Sequence, residues 1–317
     1  MTFSRLVWIG GIGLVSSFEL CAQAVAPMNP GRHRVEILSS ADGSMQPSYI
    51  TVPEPRSAPE RAPLVVVLHT WSFDLDQRQP ELEAEAAARG WLLLAPNFRG
   101  RNDHPEACGS PLAQQDILDA VAWVRRRYPV DDRRIYVLGL SGGGFMTMLM
   151  AARRPELWAA ASAWVGISDL GDWYSAHRED NFGRMIRSCF GGTPDGNRTI
   201  ANEMAARSPL RYISPQLKVP LDLAAGRSDT VVSIRHSLRA MQALAPDAVR
   251  DDEIALLLGS GPGLTRPAPS DTAADPLLGR RIFLRRQARS SRITIFDGGH
   301  EWIARAAVAW LAQHQKP

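Results

Sequence analysis

The sequence predicts an α/β protein built on a mostly parallel central sheet, with helices on both faces and a cap inserted above it. Three observations carry that prediction. Apolar runs with strand character alternate with helical patterns of about 10–15 residues, which is how crossover units and parallel sheets are encoded. One run, "LVVVLHT" from Leu64, is continuously apolar and β-branched, as a strand covered on both faces must be. A third run, "RIYVLGLSGGGFMTMLMAAR" at 134–153, passes from strand to helix through a corner of small residues around one serine.

Taken in order, residues 1–24 carry Arg5, the apolar core "LVWIGGIGLV" and the small-residue tripeptide Ala22-Gln23-Ala24, the pattern of a cleaved export signal. That apolar run is short for a membrane span, so the expectation is a secreted or periplasmic chain without a stable membrane span, Val25–Pro317 forming one domain. "HRVEIL" and "PSYITV" alternate with period two around "SSADGS" and predict an antiparallel hairpin at a sheet edge. After a Pro-rich connector come strand "LVVVLHT", helix "PELEAEAAARG", strand "WLLLAPN", helix "PLAQQDILDAVAWVRRRY" and strand "RIYVLGL". Helix "GGFMTMLMAARR", strand "WAAASAWVGI", strand "VPLDLAAG", helix "VVSIRHSLRAMQAL", strand "RITIFD" and helix "EWIARAAVAWLAQH" complete the alternation. Residues 171–215 read as the cap, and 246–290 as a further insertion that is partly polar loop.

Composition narrows the partners. With 45% hydrophobic and 22% charged residues the 317-residue chain is globular, and a net charge of +3 without a basic block argues against nucleic acid. No His/Cys/Asp cluster has metal-ligand spacing, and the Gly-x-Gly pairs at 259–263 lie in a Pro-rich loop, so neither a metal nor a nucleotide cofactor is expected. Once the leader is removed, Cys108 and Cys189 stand in an oxidising compartment, each in a loop-like stretch, and either pair with each other or remain thiols.

Gly139-Leu140-Ser141-Gly142-Gly143 is a G-x-S-x-G motif in the strand-to-helix setting that a nucleophile elbow requires. A serine hydroxyl attacks only when a base removes its proton. Of the seven histidines, His33 falls in a strand, His104 and His177 in loops, and His236 and His314 in helices; His300, in "FDGGHEW", follows the last core strand. Ligands of open α/β sheets gather at that edge. The acid that holds the imidazole must lie between Ser141 and His300. Asp229, after "VPLDLAAG", fits best; Asp169, after the preceding strand, is the rival, and Asp222 sits inside its strand. Backbone N–H groups of Gly142 and Trp71 are the candidate oxyanion donors, with His69 an orienting residue, and Thr70, Trp173 and Tyr174 are the candidate pocket lining.

Together these segments resemble the α/β-hydrolase superfamily, in particular its prolyl-oligopeptidase and dienelactone-hydrolase-like branch, over residues 60–310. The resemblance rests on "HTW", "APNFRG", "QQDILDAVAWV", "GLSGGG", "GRSDTVV" and "GGHEW". It implies an α/β-hydrolase fold and a Ser141–Asp229–His300 triad. Thr70 stands where the family has glycine, and the long separation of Asp229 from His300 implies an insertion. Peptidases of this branch carry an N-terminal propeller for which the stretch before Leu64 has no room. The expectation is therefore a serine hydrolase of carboxylic esters, acetyl or feruloyl esters of polysaccharides among them. A prolyl-oligopeptidase-type peptidase is the alternative, its charged anchors drawn from Arg99, Asp172 or Glu179, and a non-catalytic binder on the same fold is the third reading.

Overall fold

The computed structural model describes Met1 and residues 29–54, 60–259 and 274–317. The expected leader, with Cys21, and residues 260–273 of the polar loop lie outside the described residues.

Among the described residues, nine strands form one sheet in the order β1-β2-β4-β3-β5-β6-β7-β9-β8. The hairpin β1 (Gly31–Leu38) and β2 (Met45–Val52) adds antiparallel to β4 (Leu92–Pro96). From β4 the sheet runs parallel through β3 (Ala62–Leu68), β5 (Val130–Leu140), β6 (Ala160–Trp164), β7 (Leu221–Gly226) and β9 (Ser291–Phe296). Every residue of β3, β6 and β7 is buried, which is what a strand covered on both faces needs.

Two apolar layers sandwich this core. Helices α1 (Pro80–Ala88) and α9 (Ala304–Leu311) cover one face, where Leu82, Ala86 and Val308 meet Val65, Tyr136 and Leu138. Helices α2 (Pro111–Arg127), α3 (Gly142–Arg153) and α7 (Arg235–Leu244) cover the other, with Ile117, Phe145 and Leu238 against Leu64, Val137 and Leu223. Helix α2 starts where Ser110 Oγ accepts the Ala113 N–H at 3.1 Å and Pro111 fills the first helical position.

The segment between β6 and β7 forms the cap: α4 (Leu170–His177), α5 (Asn181–Phe190) and α6 (Arg198–Arg207). Two positions differ from the sequence reading. Cys189 lies in the last turn of α5 and His177 in that of α4, because buried Met185, Ile186 and Trp173 give those short segments an apolar helical face. The 246–290 segment also carries more structure than a polar loop: α8 (Asp251–Leu258) and strand β8 (Ile282–Ala288), antiparallel to β9. Arg285 and Arg286 hide the alternation of β8; they find carboxylates on Asp275 and Glu253 at 2.9 and 2.8 Å.

Cap and body meet at His236, 3% exposed at the start of α7, whose Nδ1 accepts the Ser168 N–H at 3.3 Å. Burial lowers its pKa from 6.5 to about 4, against the opposing pull of Asp172 and Asp169. The unfolded chain therefore binds the proton more tightly, and stability is complete above pH 6.5 and falls as pH drops from 6.5 toward 4. The loss is worth about 3 kcal/mol. His236→Gln should flatten the urea-denaturation free energy across that window; an unchanged slope would remove His236 as its source.

Candidate active site

The parallel strands end at one rim, and the residues singled out by sequence are delivered there by strand-end loops. Ser141 joins β5 to α3 with φ 59° and ψ −118°, a left-handed strained corner that lifts its side chain off the strand line. Its N–H donates to the Trp164 carbonyl at the end of β6 at 2.9 Å. The corner is so tight that a Cβ on Gly139 would stand 2.4 Å from the Gly143 carbonyl carbon, and one on Gly143 would stand 2.1 Å from Leu68 O. Side chains are excluded at both places by backbone, so the motif is a packing requirement.

Gly142 and Trp71 come together as expected. A Cβ on Gly142 would lie 2.3 Å from Trp71 N, so the two backbone N–H groups are near neighbours beside Ser141. Neither donates to another group among the described residues. Two unspent donors at the positive end of a helix are what a developing oxyanion requires. The loop carrying Trp71 is braced by His69, whose Nδ1 lies 3.0 Å from Thr70 O and Nε2 2.9 Å from Asn97 O, with the ring stacked on Phe98 at 3.9 Å. Burial holds the His69 pKa below its ordinary value. Thr70, half-buried, has no left-handed backbone and so needs no glycine there; its N–H donates to Gln77 Oε1 at 2.9 Å.

Asp229 and His300 also meet. His300 Nδ1 lies 2.8 Å from Asp229 Oδ2, while Asp229 Oδ1 accepts the Val231 and Val232 N–H groups at 2.8 and 2.9 Å. The carboxylate is fully buried and the imidazole 25% exposed, so one ring nitrogen is committed and the other is left for chemistry. Gly226 makes this possible: a Cβ there would strike Gly299 O at 2.2 Å, so its absence lets the His300 loop lie on the end of β7. The rival Asp169 is spent as the cap of α4, accepting the Gly171 and Asp172 N–H groups at 2.8 and 3.0 Å. Asp222 is paired inside the sheet. Ser141 Oγ and His300 Nε2 share no hydrogen bond here; such contacts often tighten only with substrate.

The aromatic lining needs correction. Trp173 and Tyr174 are 1% and 2% exposed and offer no open ring face. Trp173 packs edge-on to Trp71 at 4.8 Å, and its Nε1–H donates to Val231 O at 3.1 Å; His177 Nε2 holds the same carbonyl at 2.7 Å. These aromatics clamp the acid loop from the cap side. Arg99 is likewise unavailable to a substrate, being bound to Asp116, Asp42 and Ser39 at 2.6–3.1 Å. Sequence reasoning missed Gly226 and His177 as a clamp, whose partners lie far away along the chain. Cys108 and Cys189 form a disulfide with Cα atoms 6.1 Å apart. Among the described residues, no group of three His, Cys, Asp or Glu side chains has metal-binding geometry, and no helix is long and apolar enough to cross a membrane.

A model of the prolyl oligopeptidase family matches residues 82–261, more than half of the chain, and spans the elbow and Asp229. The chain belongs to this family. The matched segment ends before His300. Among curated relatives, the "Uncharacterized peptidase YtmA" of Bacillus subtilis is 33% identical over 154 residues, 48% of this chain and 57% of that protein. Acetylxylan esterase A of Aspergillus ficuum is 42% identical over 59 residues, 19% of each chain. The chain thus spans little more than half of the first relative's length and a fifth of the second's. A Mycobacterium tuberculosis puromycin-hydrolyzing peptidase aligns with TM-score 0.62 and 19% identity, covering 90% of this chain and 40% of that one, a likeness of fold.

Proposed function

We propose that Ser141, His300 and Asp229 hydrolyse carboxylic esters of small or polysaccharide-linked substrates through an acyl-enzyme. The observation that supports this is the Asp229–His300 pair at 2.8 Å on the same rim as a strained elbow serine flanked by two free N–H groups. In this reading His300 Nε2 takes the Ser141 proton as Oγ attacks the carbonyl carbon. Asp229 keeps Nδ1 protonated and steadies the imidazolium. The Trp71 and Gly142 N–H groups hold the oxyanion, and His300 then returns the proton to the departing alcohol. Water repeats the cycle and releases the acid.

Esters are favoured over peptides anchored by their carboxylate because Arg99, the basic candidate anchor, is consumed by Asp116 and Asp42, while the acidic candidates Asp172 and Glu179 stay exposed. Peptide cleavage is the second reading, and the longer match to the Bacillus peptidase favours it. Hydrolysis of p-nitrophenyl acetate should exceed that of N-acetyl amino-acid p-nitroanilides in kcat/KM, with both lost in Ser141→Ala. Faster anilide cleavage would reverse the assignment. Export accords with the disulfide, and N-terminal sequencing of cell-fractionated protein should find Val25 first.

A further inference from the structure

We propose that Asn102 is a positioning residue for the oxyanion site, tying the Trp71 N–H to the disulfide of the cap. The inference deepens the reading of Trp71 and Gly142 as oxyanion donors and rests on it.

Asn102 lies in the loop between β4 and α2 and is fully buried. Buried polar side chains are kept where their hydrogen bonds are used, and both Asn102 donors go to one acceptor. The Asn102 backbone N–H donates to the Trp71 carbonyl at 3.0 Å and Nδ2–H donates to it again at 3.3 Å. On the other side of the same residue, the Thr70 carbonyl rests against His69 Nδ1 at 3.0 Å. The two peptide units flanking the Trp71 Cα are therefore both pinned, which fixes the direction of the Trp71 N–H. The indole contributes no polar anchor: Nε1 is buried without a partner among the described residues, its ring lying between Phe145 and Trp173 at 5.7 and 4.8 Å. Orientation of the donor thus depends on the backbone clamps.

Asn102 is itself oriented by Cys108 of its own loop, the residue the disulfide ties to the cap. Its Oδ1 accepts the Cys108 N–H at 2.7 Å, and this sets which end of the amide faces Trp71. Cys108 holds a left-handed φ of 53°, costly for a side-chain-bearing residue, and is bonded through sulfur to Cys189 in the last turn of α5. A continuous path runs from cap helix through disulfide, Cys108 N–H and the Asn102 amide to the Trp71 carbonyl.

The test compares Asn102→Ala and Asn102→Asp with wild type on p-nitrophenyl acetate, rates being normalised to sites titrated by a fluorophosphonate. Asn102→Asp keeps the size and the acceptor for Cys108 but loses the Nδ2–H donor, so it separates positioning from packing. Both variants should lose about ten- to a hundredfold in kcat, less than deletion of an oxyanion donor outright, with KM within about twofold. Affinity for an alkylboronic acid, whose tetrahedral adduct puts an oxygen in the same hole, should fall by the same factor. A merely structural role would lower the titratable fraction or Tm and leave normalised kcat and boronate affinity unchanged, and that result overturns the proposal. The Cys108→Ser/Cys189→Ser pair should reduce kcat in wild type but add less than about twofold in Asn102→Ala, because both act through one path; full additivity overturns the disulfide's part. A wild-type protein that the fluorophosphonate fails to label would overturn the oxyanion reading and this inference together, whereas labelling with unaltered variant kinetics overturns the inference alone.

Discussion

Ser141→Ala is expected to lower kcat for ester hydrolysis by about a millionfold while leaving the fold as stable as the parent. The size follows from the interdependence of a triad, in which losing the nucleophile leaves base and acid with nothing to activate. Residual catalysis of roughly a thousand- to ten-thousandfold over water should remain, since the two N–H donors and the binding surface are untouched. Stability should hold because Ser141 Oγ makes no hydrogen bond among the described residues, so alanine removes no internal partner. The left-handed backbone at φ 59° is equally costly for either side chain. The decisive measurement is single-turnover hydrolysis of p-nitrophenyl acetate alongside thermal unfolding. A loss of only tenfold would mean that another group attacks the carbonyl. Asp229→Asn should cost about ten-thousandfold by presenting the wrong His300 tautomer.

Much of this site was legible because its chemistry depends on backbone geometry that only certain residues permit. Gly139, Gly142 and Gly143 are visible in sequence since backbone from neighbouring segments occupies the space a Cβ would need. The Ser141–Asp229–His300 order followed from where strands end, and strands buried on both faces announce themselves by unbroken apolar runs. Legibility fails where a side chain's partner is set by tertiary packing alone. Asp169 and Asp229 occupy similar strand-end positions, and only the structure shows one capping α4 and the other meeting His300. Trp173 and Tyr174 read as mouth aromatics because nothing in a single sequence tells an inward ring from an outward one. Strand β8 escaped notice because its arginines find carboxylates on distant elements, which removes the polar penalty that would otherwise argue against a strand there.

Asp222 is the sharpest instance of the hidden kind and carries the largest expected effect on stability. Its position inside "LDLAAG" counts against catalysis yet leaves a carboxylate in a strand where apolar residues belong. The structure resolves this with a buried network: the fully buried carboxylate accepts Arg292 Nε and Ser162 Oγ, each at 2.7 Å, and Ser162 Oγ accepts Trp164 Nε1–H at 2.9 Å. Strands β6, β7 and β9 are joined through one carboxylate, and the Trp164 backbone carbonyl holds the Ser141 N–H. Asp222→Ala would leave the Arg292 cation, whose side chain is 14% exposed, without its hydrogen-bonded carboxylate, Asp275 acting on it only through space. Removing one partner of such a pair costs about 3–5 kcal/mol, far more than the pair contributes relative to apolar packing. A fall in Tm on the order of 10 °C is expected. Salt should not reproduce the effect, since screening barely reaches a buried pair. The double variant Asp222→Leu/Arg292→Met should recover most of the loss, because two apolar side chains carry no unpaired charge. If Asp222→Ala cost less than about 1 kcal/mol, or if the double variant were no better than the single, solvent would be reaching Arg292 and the network would not be what joins these strands.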